Sequence, residues 1–321
     1  MNPFDQAHPA NYACWSGNRS MPELDHANPA VQAYVLQVIT HWLRRGVDGW
    51  RFDAPERLRD HAFWREVRRQ AEAARPGAYL VGESWGDASP WLDGAQWHGT
   101  THYPLLYALY RFAAGARLDP AGLLPSSGPQ PPLDAAGFAA ALEGLLRRDR
   151  WPTPLAHLTF LSTHDVGRFL TAAGGDRASL RLGALLLFTV PGVPCLWAGD
   201  EVGMTGGPPP ASRGGFWPRE RWDLELRDHH RALAALRRAH PALRRGGYRT
   251  LHASGGLLAF ERAAEGERLV VLANAGDAAA SAVVELGPEP ALRFGQPALA
   301  AEGGGRWRVG LPARAGAVLR G

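Results

Sequence analysis

The chain contains no lysine: all 35 of its basic residues are arginine, against 31 Asp and Glu in 321 residues, for a formal charge of +4. No arginine-dense run stands out, so nucleic-acid binding is not predicted. Cysteine is nearly absent as well. Cys14 and Cys195 are the only two, which excludes a disulfide framework and a cysteine-based zinc cage.

Long hydrophobic runs are also missing. The longest uncharged apolar stretch, from Leu182 to Leu196, is interrupted by Pro191 and Pro194 and is too short to span a membrane. The first residues of the sequence contain neither the charged nor the apolar segment of a signal peptide. We therefore expect a cytoplasmic protein that does not bind membranes.

Helix-like and strand-like patterns alternate through most of the chain. Asn28 followed by Pro29 is typical of a helix N-cap and first helical position, and apolar residues then recur at helical spacing until Gly46. A second helix pattern runs from about Asp60 to Ala74. Strand-like apolar runs and one further helix complete the alternation: Val47 to Phe52, Tyr79 to Val81, Ala156 to Ser162, the helix Ala178 to Val190, and Val193 to Trp197. This order predicts parallel βα units.

From about Gly247 the pattern changes to short strands separated by turns. Leu257 to Arg262 and Arg268 to Ala273 flank a glycine-bearing turn, as in a β-hairpin. We predict a small antiparallel β domain at 247–321, after an α/β region at 28–246. Two loops rich in Pro, Gly and Ser are expected inside that region, at 120–132 and 206–218.

Three of the predicted strands are followed by a carboxylate: Asp53, Glu83 and Asp165. Because strand ends converge on one face of a barrel, acids distant in sequence can share one pocket. Crowded carboxylates push their pKa values apart, so that one is a protonated acid while another stays ionised as a nucleophile. Cleavage of a glycosidic bond requires that division of roles.

Each of these residues also has an ordinary structural interpretation. An Asp after a strand is often a helix N-cap, and Arg51 could form a plain surface ion pair. On the same side of the strand, Arg51 would instead keep Asp53 ionised. His164 could be a core histidine or a metal ligand, although it lacks partners at ligand spacing. Trp85 could be core, or an apolar wall that raises the pKa of Glu83.

Taken together, the segments resemble the α-amylase family, family 13 of the glycoside hydrolases. The resemblance rests on 46–53 (GVDGWRFD) as its strand-4 motif, 82–85 (GESW) as its strand-5 motif, 160–165 (FLSTHD) as its strand-7 motif and 192–203 (GVPCLWAGDEVG) at strand 8. It implies that Asp53 is the nucleophile, Glu83 the general acid/base and Asp165 the stabiliser of the transition state. Arg51 and His164 are then substrate-positioning residues, and Trp85 a substrate-binding one.

One segment indicates a subgroup of the family. Residues 15–18 (WSGN) and 21–25 (MPELD) are similar to the MPKLN-like region of neopullulanases, cyclomaltodextrinases and maltogenic amylases. Asp25 replaces the usual Asn, Trp197 and Ala198 replace a common Tyr-Tyr pair, and the 206–218 loop lacks the usual Cys-Arg-Arg pattern. The linkage preference, α-1,4 or α-1,6, stays open.

The position of this segment also bears on the fold. In the family it lies late in the insertion after strand 3, so residues 1–27 are interpreted as a remnant of that insertion. The resemblance then implies an α/β fold: an incomplete (β/α)₈ TIM barrel, about strands 4–8, followed by a small C-terminal antiparallel β-sandwich. The strand-3 motif has no counterpart; its Asn normally serves a calcium site, so calcium is possible in the family but its usual ligand is missing here.

Three functions remain open from the sequence. The first is a retaining glycosidase acting on maltooligosaccharides, cyclodextrins or related α-glucans. The second is a non-catalytic remnant of such an enzyme: a truncated gene product, or half of a split enzyme that needs an N-terminal fragment in trans. The third is a carbohydrate-binding accessory protein that uses the pocket without turnover.

Overall fold

A computed structural model of the chain describes residues 12–119 and 130–321. The predicted segment 1–27 and the predicted loop 120–132 therefore lie partly outside the described residues. The chain divides into two compact units, Met1–Glu83 with Pro90–His98, and Ser84–Ser89 with Gly99–Gly321. This division falls elsewhere than the boundaries expected after residues 27 and 246, which stay predictions.

The first unit is built on a βαβ arrangement. Helix α1 (Pro29–Arg44) begins where Asn28 Oδ1 accepts a hydrogen bond from the Ala30 N–H at 2.9 Å. Strand β1 (Gly49–Phe52), helix α2 (His61–Ala74) and strand β2 (Tyr79–Gly82) follow. The two strands are parallel and in register from Gly49 opposite Tyr79 to Phe52 opposite Gly82. The predicted alternation is confirmed here, because capping and periodicity are local properties that the sequence carries directly.

Gly82, the last residue of β2, allows a close aromatic contact just before Glu83. A Cβ at this position would lie 2.4 Å from the ring of Trp97. Trp97 is buried, stacks on Trp91 and meets Trp64 of α2 edge-on. A side chain at Gly82 would displace this cluster, which fixes the end of the strand.

The second unit begins with a further α/β portion. Its strands are short: β3 (Gly99–Thr100), β4 (Leu158–Thr159) and β5 (Val193–Pro194). Its helices are α3 (Tyr103–Leu109), which continues into a π-helical turn at Tyr110–Ala114, α4 (Ala135–Arg148), α5 (Phe169–Ala172), α6 (Arg177–Thr189), α7 (Leu224–Ala239) and α8 (Pro241–Arg245).

The parallel pairing in this portion is shorter than the sequence suggested. β4 and β5 pair in parallel at two positions, and Thr101 bridges Leu158 in parallel. The predicted runs 156–162 and 193–197 thus contribute two strand residues each. Pro194 has no N–H to donate, which limits the ladder that β5 can form.

The C-terminal part of this unit consists of antiparallel sheets. Its strands are β6 (Gly247–Ser254), β7 (Leu257–Ala264), β8 (Glu267–Asn274), β9 (Ala280–Glu285), β10 (Ala291–Phe294), β11 (Ala298–Gly303), β12 (Arg306–Leu311) and β13 (Ala315–Arg320). Five strands form one sheet in the order β10-β13-β8-β7-β6, and three form another in the order β11-β12-β9. The predicted hairpin is β7–β8, with Glu265 and Gly266 at positive φ in its turn.

The larger sheet is apolar on both faces. Alternate residues such as Leu257 and Val270 share a buried cluster with Val284 and Val309 of the smaller sheet, whereas Leu258 and Val271 belong to the helical core. This alternation follows the two-residue period of a strand and explains why β7 and β8 are nearly continuously hydrophobic. Among the described residues, no helix has the length and apolar character needed to cross a membrane.

Candidate active site

Two of the three predicted acids lie side by side in the first unit. Asp53 follows β1 and Glu83 follows β2, and these strands are adjacent and parallel. Arg51 connects the two acids: its Nη1 lies 2.6 Å from Asp53 Oδ1 and its Nη2 lies 3.0 Å from Glu83 Oε1. The Glu83 side chain is 8% exposed and that of Asp53 is 77% exposed. One acid is therefore enclosed and the other open to solvent, with one guanidinium between them.

Glu83 is also held by the backbone next to Asp53. The Ala54 N–H donates to Glu83 Oε2 at 3.0 Å, and the Glu83 N–H donates to the Phe52 carbonyl at 2.9 Å. Ala54 has φ 39° and ψ 42°, a left-handed conformation that costs a non-glycine residue about 1–3 kcal/mol. Glu83 is thus held at both carboxylate oxygens, by a hydrogen bond from the Ala54 N–H to Oε2 and by the ion pair of Arg51 with Oε1.

A cavity of about 770 Å³ opens beside Asp53, entirely within the first unit. Asp53 lies on its wall, and the 21–25 segment contributes Glu23, which pairs with Arg57 at 2.8 Å. Its aromatic lining comprises Trp15, Phe52, Phe63 and Trp64. The size and the mixture of aromatic and charged groups suit a small polar ligand.

The third acid belongs to a second group of residues, in the second unit. His164 Nε2 lies 3.1 Å from Asp165 Oδ2, and Arg213 Nη2 lies 3.2 Å from Asp165 Oδ1. The Asp165 N–H donates to Thr163 Oγ1 at 3.0 Å. Asp165 is half-buried, with a side chain 26% exposed. The structure thus brings together Arg51, Asp53 and Glu83 in one unit, and His164 with Asp165 in the other.

Trp85 also lies in the second unit, packed against an aromatic partner. Its ring stacks on Tyr103 with centroids 3.7 Å apart and an interplanar angle of 9°. Trp85 is half-buried and contacts the core. One ring face is therefore covered, and its predicted contact with substrate would use the other.

Arg213 is a residue that the sequence did not single out. It ends the short 3₁₀ helix Ala211–Arg213, the only helical or strand segment of the 206–218 loop, and lies 48 residues after Asp165 in sequence. No local pattern marks such a contact. In the sequence, Arg213 is one arginine in a loop recognised by its Pro, Gly and Ser content, and nothing there links it to Asp165.

A buried ion pair lies close to this second group. Arg168 Nη1 donates to Asp200 Oδ1 at 2.8 Å, and Arg168 Nη2 donates to the Ala198 carbonyl at 3.0 Å. The guanidinium of Arg168 also lies 5.8 Å from the ring centroid of Trp197. Burial raises the pKa of Asp200 to about 6, against the opposing effects of Ser162 and Arg168.

A calcium site can be tested against the side chains present. Within residues 12–119 and 130–321, no group of three or more His, Cys, Asp or Glu is arranged to hold a metal ion. The side chains of these residues therefore provide no cluster of acidic or imidazole ligands suited to calcium. His164 contacts one carboxylate, Asp165, in a geometry that an imidazole–carboxylate pair explains.

Comparison with known proteins identifies the protein family to which this site belongs. The α-amylase catalytic domain matches residues 5–240, most of the chain. The chain belongs to the α-amylase family, and the resemblance inferred from its motifs is confirmed.

Particular relatives narrow the comparison. The chain is 36% identical over 274 residues to a cyclomaltodextrinase of Geobacillus thermopakistaniensis, covering 84% of this chain and 44% of that protein. It is 34% identical to neopullulanase 2 of Thermoactinomyces vulgaris, covering 80% and 42%. Among solved structures, it is similar to a debranching enzyme of Nostoc punctiforme, with a TM-score of 0.92 and 40% identity over 99% of this chain and 67% of that one. The chain spans less than half the length of the curated relatives it matches.

Proposed function

We propose that this chain carries the catalytic residues of a retaining glycoside hydrolase that cleaves α-glucosidic bonds of maltooligosaccharides, cyclodextrins or related α-glucans. The observation that carries the proposal is the Arg51 guanidinium, which bonds Asp53 and Glu83 at the ends of adjacent parallel strands. Two acids within reach of one guanidinium suit the separation of about 5–5.5 Å that retention requires, rather than about 6.5–9.5 Å.

In the first half of the proposed reaction, Asp53 attacks the anomeric carbon as a carboxylate. Glu83 gives its proton to the glycosidic oxygen as that C–O bond breaks, and a covalent glycosyl–Asp53 ester forms. Arg51 stabilises the negative charge on Asp53 before attack and orients the carboxylate toward the sugar.

In the second half, Glu83 acts as the base. It removes a proton from water as the water oxygen attacks the anomeric carbon and the ester bond to Asp53 breaks. Asp53 is thereby released as a carboxylate and Glu83 is left protonated, ready for the next cycle. An ionised carboxylate can accept hydrogen bonds at both oxygens; Glu83 Oε2 accepts one from the Ala54 N–H, and Oε1 pairs with Arg51 Nη2 at 3.0 Å.

We assign the remaining predicted residues by their chemistry and by family membership. Asp165 stabilises the positive charge that develops on the sugar ring, and His164 donates a hydrogen bond to the substrate. Trp85 contacts a sugar through the part of its ring that Tyr103 does not cover. We further propose that the α/β part corresponds to about strands 4–8 of a (β/α)₈ barrel, followed by a C-terminal β-sandwich.

The substrate class is inferred from the relatives. One is named a cyclomaltodextrinase and another a neopullulanase, and both names denote enzymes of α-glucans. The choice between α-1,4 and α-1,6 linkages stays open. A cytoplasmic location stays a prediction.

The proposal is tested with the chain 1–321 on maltohexaose, γ-cyclodextrin and pullulan. We expect reducing sugar to be released and the first product, followed by proton NMR, to be the α-anomer. Asp53→Asn should abolish this release. Asp48→Asn is the matched control, because Asp48 is 92% exposed and pairs only with Arg75 among the ion pairs of the described residues.

Three results would contradict the proposal. A β-anomeric first product would refute retention, and release that survives in Asp53→Asn would refute the assignment of the nucleophile. No release from any of the three glucans would refute catalysis by this chain. If maltose still bound to the inactive chain in calorimetry, the carbohydrate-binding function would take its place.

A further inference from the structure

Arg213 makes two contacts to the segment that carries the third acid. Its Nε donates to the His164 carbonyl at 2.8 Å, and its Nη2 lies 3.2 Å from Asp165 Oδ1. The opposite carboxylate oxygen, Oδ2, lies 3.1 Å from His164 Nε2. Both oxygens of Asp165 thus have a partner, and one guanidinium connects the side chain of Asp165 to the main chain of the residue before it.

The loop that supplies Arg213 is anchored on both sides of the contact. The Trp197 Nε1–H donates to the Ser212 carbonyl at 3.0 Å, directly before Arg213, and Ser212 is fully buried. At the start of the loop, the Gly206 N–H donates to Thr171 Oγ1 at 2.8 Å. Arg213 is therefore presented from a fixed backbone, although its side chain is 52% exposed.

An arginine is suited to this arrangement in a way that lysine is not. The planar guanidinium donates through Nε and Nη2 in fixed directions, and here these reach a carbonyl and a carboxylate at the same time. An ammonium group is a single point charge and would satisfy one acceptor without fixing the angle between the two.

We propose that Arg213 is a positioning residue that holds the Asp165 carboxylate, and the main chain of His164, in the orientation used in catalysis. The inference rests on the function proposed above for Asp165. A group that stabilises a transition state must be aimed accurately, since a misplacement of 1 Å can cost about 100-fold in rate. The effect of Arg213 therefore belongs in kcat rather than in KM.

Kinetics on γ-cyclodextrin test the positioning role. We expect Arg213→Gln to lower kcat about 100-fold with KM within about three-fold of the wild-type value, and Arg213→Lys to recover little of the loss. Arg219→Gln is the matched control in the same part of the chain, because Arg219 is exposed, and it should behave as wild type. An unchanged kcat in Arg213→Gln, a loss confined to KM, or full recovery by Arg213→Lys would overturn the proposal.

A second measurement separates this inference from the proposed function. The urea midpoints of wild type, Arg213→Gln, Asp165→Asn and the double variant form a cycle that isolates the coupling of the two side chains. We expect the two shifts to be non-additive, whereas additive shifts would overturn the proposed contact. If the wild-type chain releases no sugar, the proposed function fails and the cycle alone decides whether Arg213 holds Asp165.

Discussion

The two arginine–carboxylate groups of this chain are similar in chemistry and different in origin. Arg51 lies on β1 and Asp53 follows the strand directly, two residues later, so the two-residue period of the extended chain brings both side chains to the same face. Arg213 comes from a loop 48 residues beyond Asp165. The first group is made by the local geometry of a strand, and the second exists only because a distant loop folds back.

This difference predicts where each group is vulnerable. Arg51 is 31% exposed and bonds two acids at once, so its loss acts directly on both. Arg213 is 52% exposed and depends on the anchors of its loop, namely Trp197 on Ser212 and, behind Trp197, the buried Arg168–Asp200 pair. Substitutions far from Asp165 should therefore weaken the second group and leave the first unchanged.

The largest effect is expected from Arg51→Gln. It removes the cation that pairs with both Asp53 and Glu83, and we expect kcat on γ-cyclodextrin to fall about 10³- to 10⁴-fold, equivalent to about 4–5.5 kcal/mol in the activation barrier. Arg59→Gln, an exposed arginine of the following loop, is the control. A loss in Arg51→Gln no greater than that in Arg213→Gln would contradict the ranking of the two groups.

The contrast between the Arg51 and Arg213 groups also shows which contacts can be predicted from the sequence. The N-caps Asn28 and Asp60 bond the helix starts that their patterns indicated, and Asp53 and Glu83 follow strands whose apolar runs were visible. These features depend on neighbours in sequence. The partners Arg213 of Asp165 and Tyr103 of Trp85 depend on how distant segments meet, and no periodicity encodes them. The left-handed backbone conformation of Ala54 could not be predicted for another reason. Glycine in a sequence suggests a positive φ, whereas alanine rarely adopts one.

Substitution of Arg168 tests the buried ion pair that lies next to Trp197 and thus to the loop of Arg213. Arg168→Met leaves the buried Asp200 carboxylate without its cation, and we expect the free energy of unfolding to fall by about 3–5 kcal/mol. Arg177→Met is the control, because the Arg177 side chain that pairs with Asp223 is 66% exposed, and a pair with a solvent-exposed cation contributes at most about 1 kcal/mol. Urea unfolding measures both. Equal losses in the two variants would show that burial of the pair does not matter.

The same pair gives stability a pH dependence. The pKa of Asp200 is about 6 in the folded chain against an ordinary value of 3.8, so the folded state binds the proton more tightly. The unfolding free energy contributed by this group is therefore greatest below about pH 4 and is lost as pH rises through about 6, a change of about 3 kcal/mol at 1.36 kcal/mol per pKa unit. Asp200→Asn cannot titrate, so its stability should lack this fall. Parallel stability curves for wild type and variant between pH 4 and 7 would contradict the assignment.

The smallest effect is expected at Trp197, which anchors the loop that carries Arg213. Trp197→Phe keeps an aromatic ring but removes the N–H that holds the Ser212 carbonyl, so the backbone before Arg213 loses one hydrogen bond of about 1 kcal/mol. If this bond aims Arg213, kcat should fall about ten-fold and the variant combined with Arg213→Gln should be no slower than Arg213→Gln alone. Trp222→Phe loses an equivalent bond, from Nε1 to the Trp217 carbonyl at 2.8 Å, and should leave kcat unchanged. Equal losses in the two tryptophan variants, or multiplicative losses in the double variant, would mean that Trp197 acts on catalysis by a route other than Arg213.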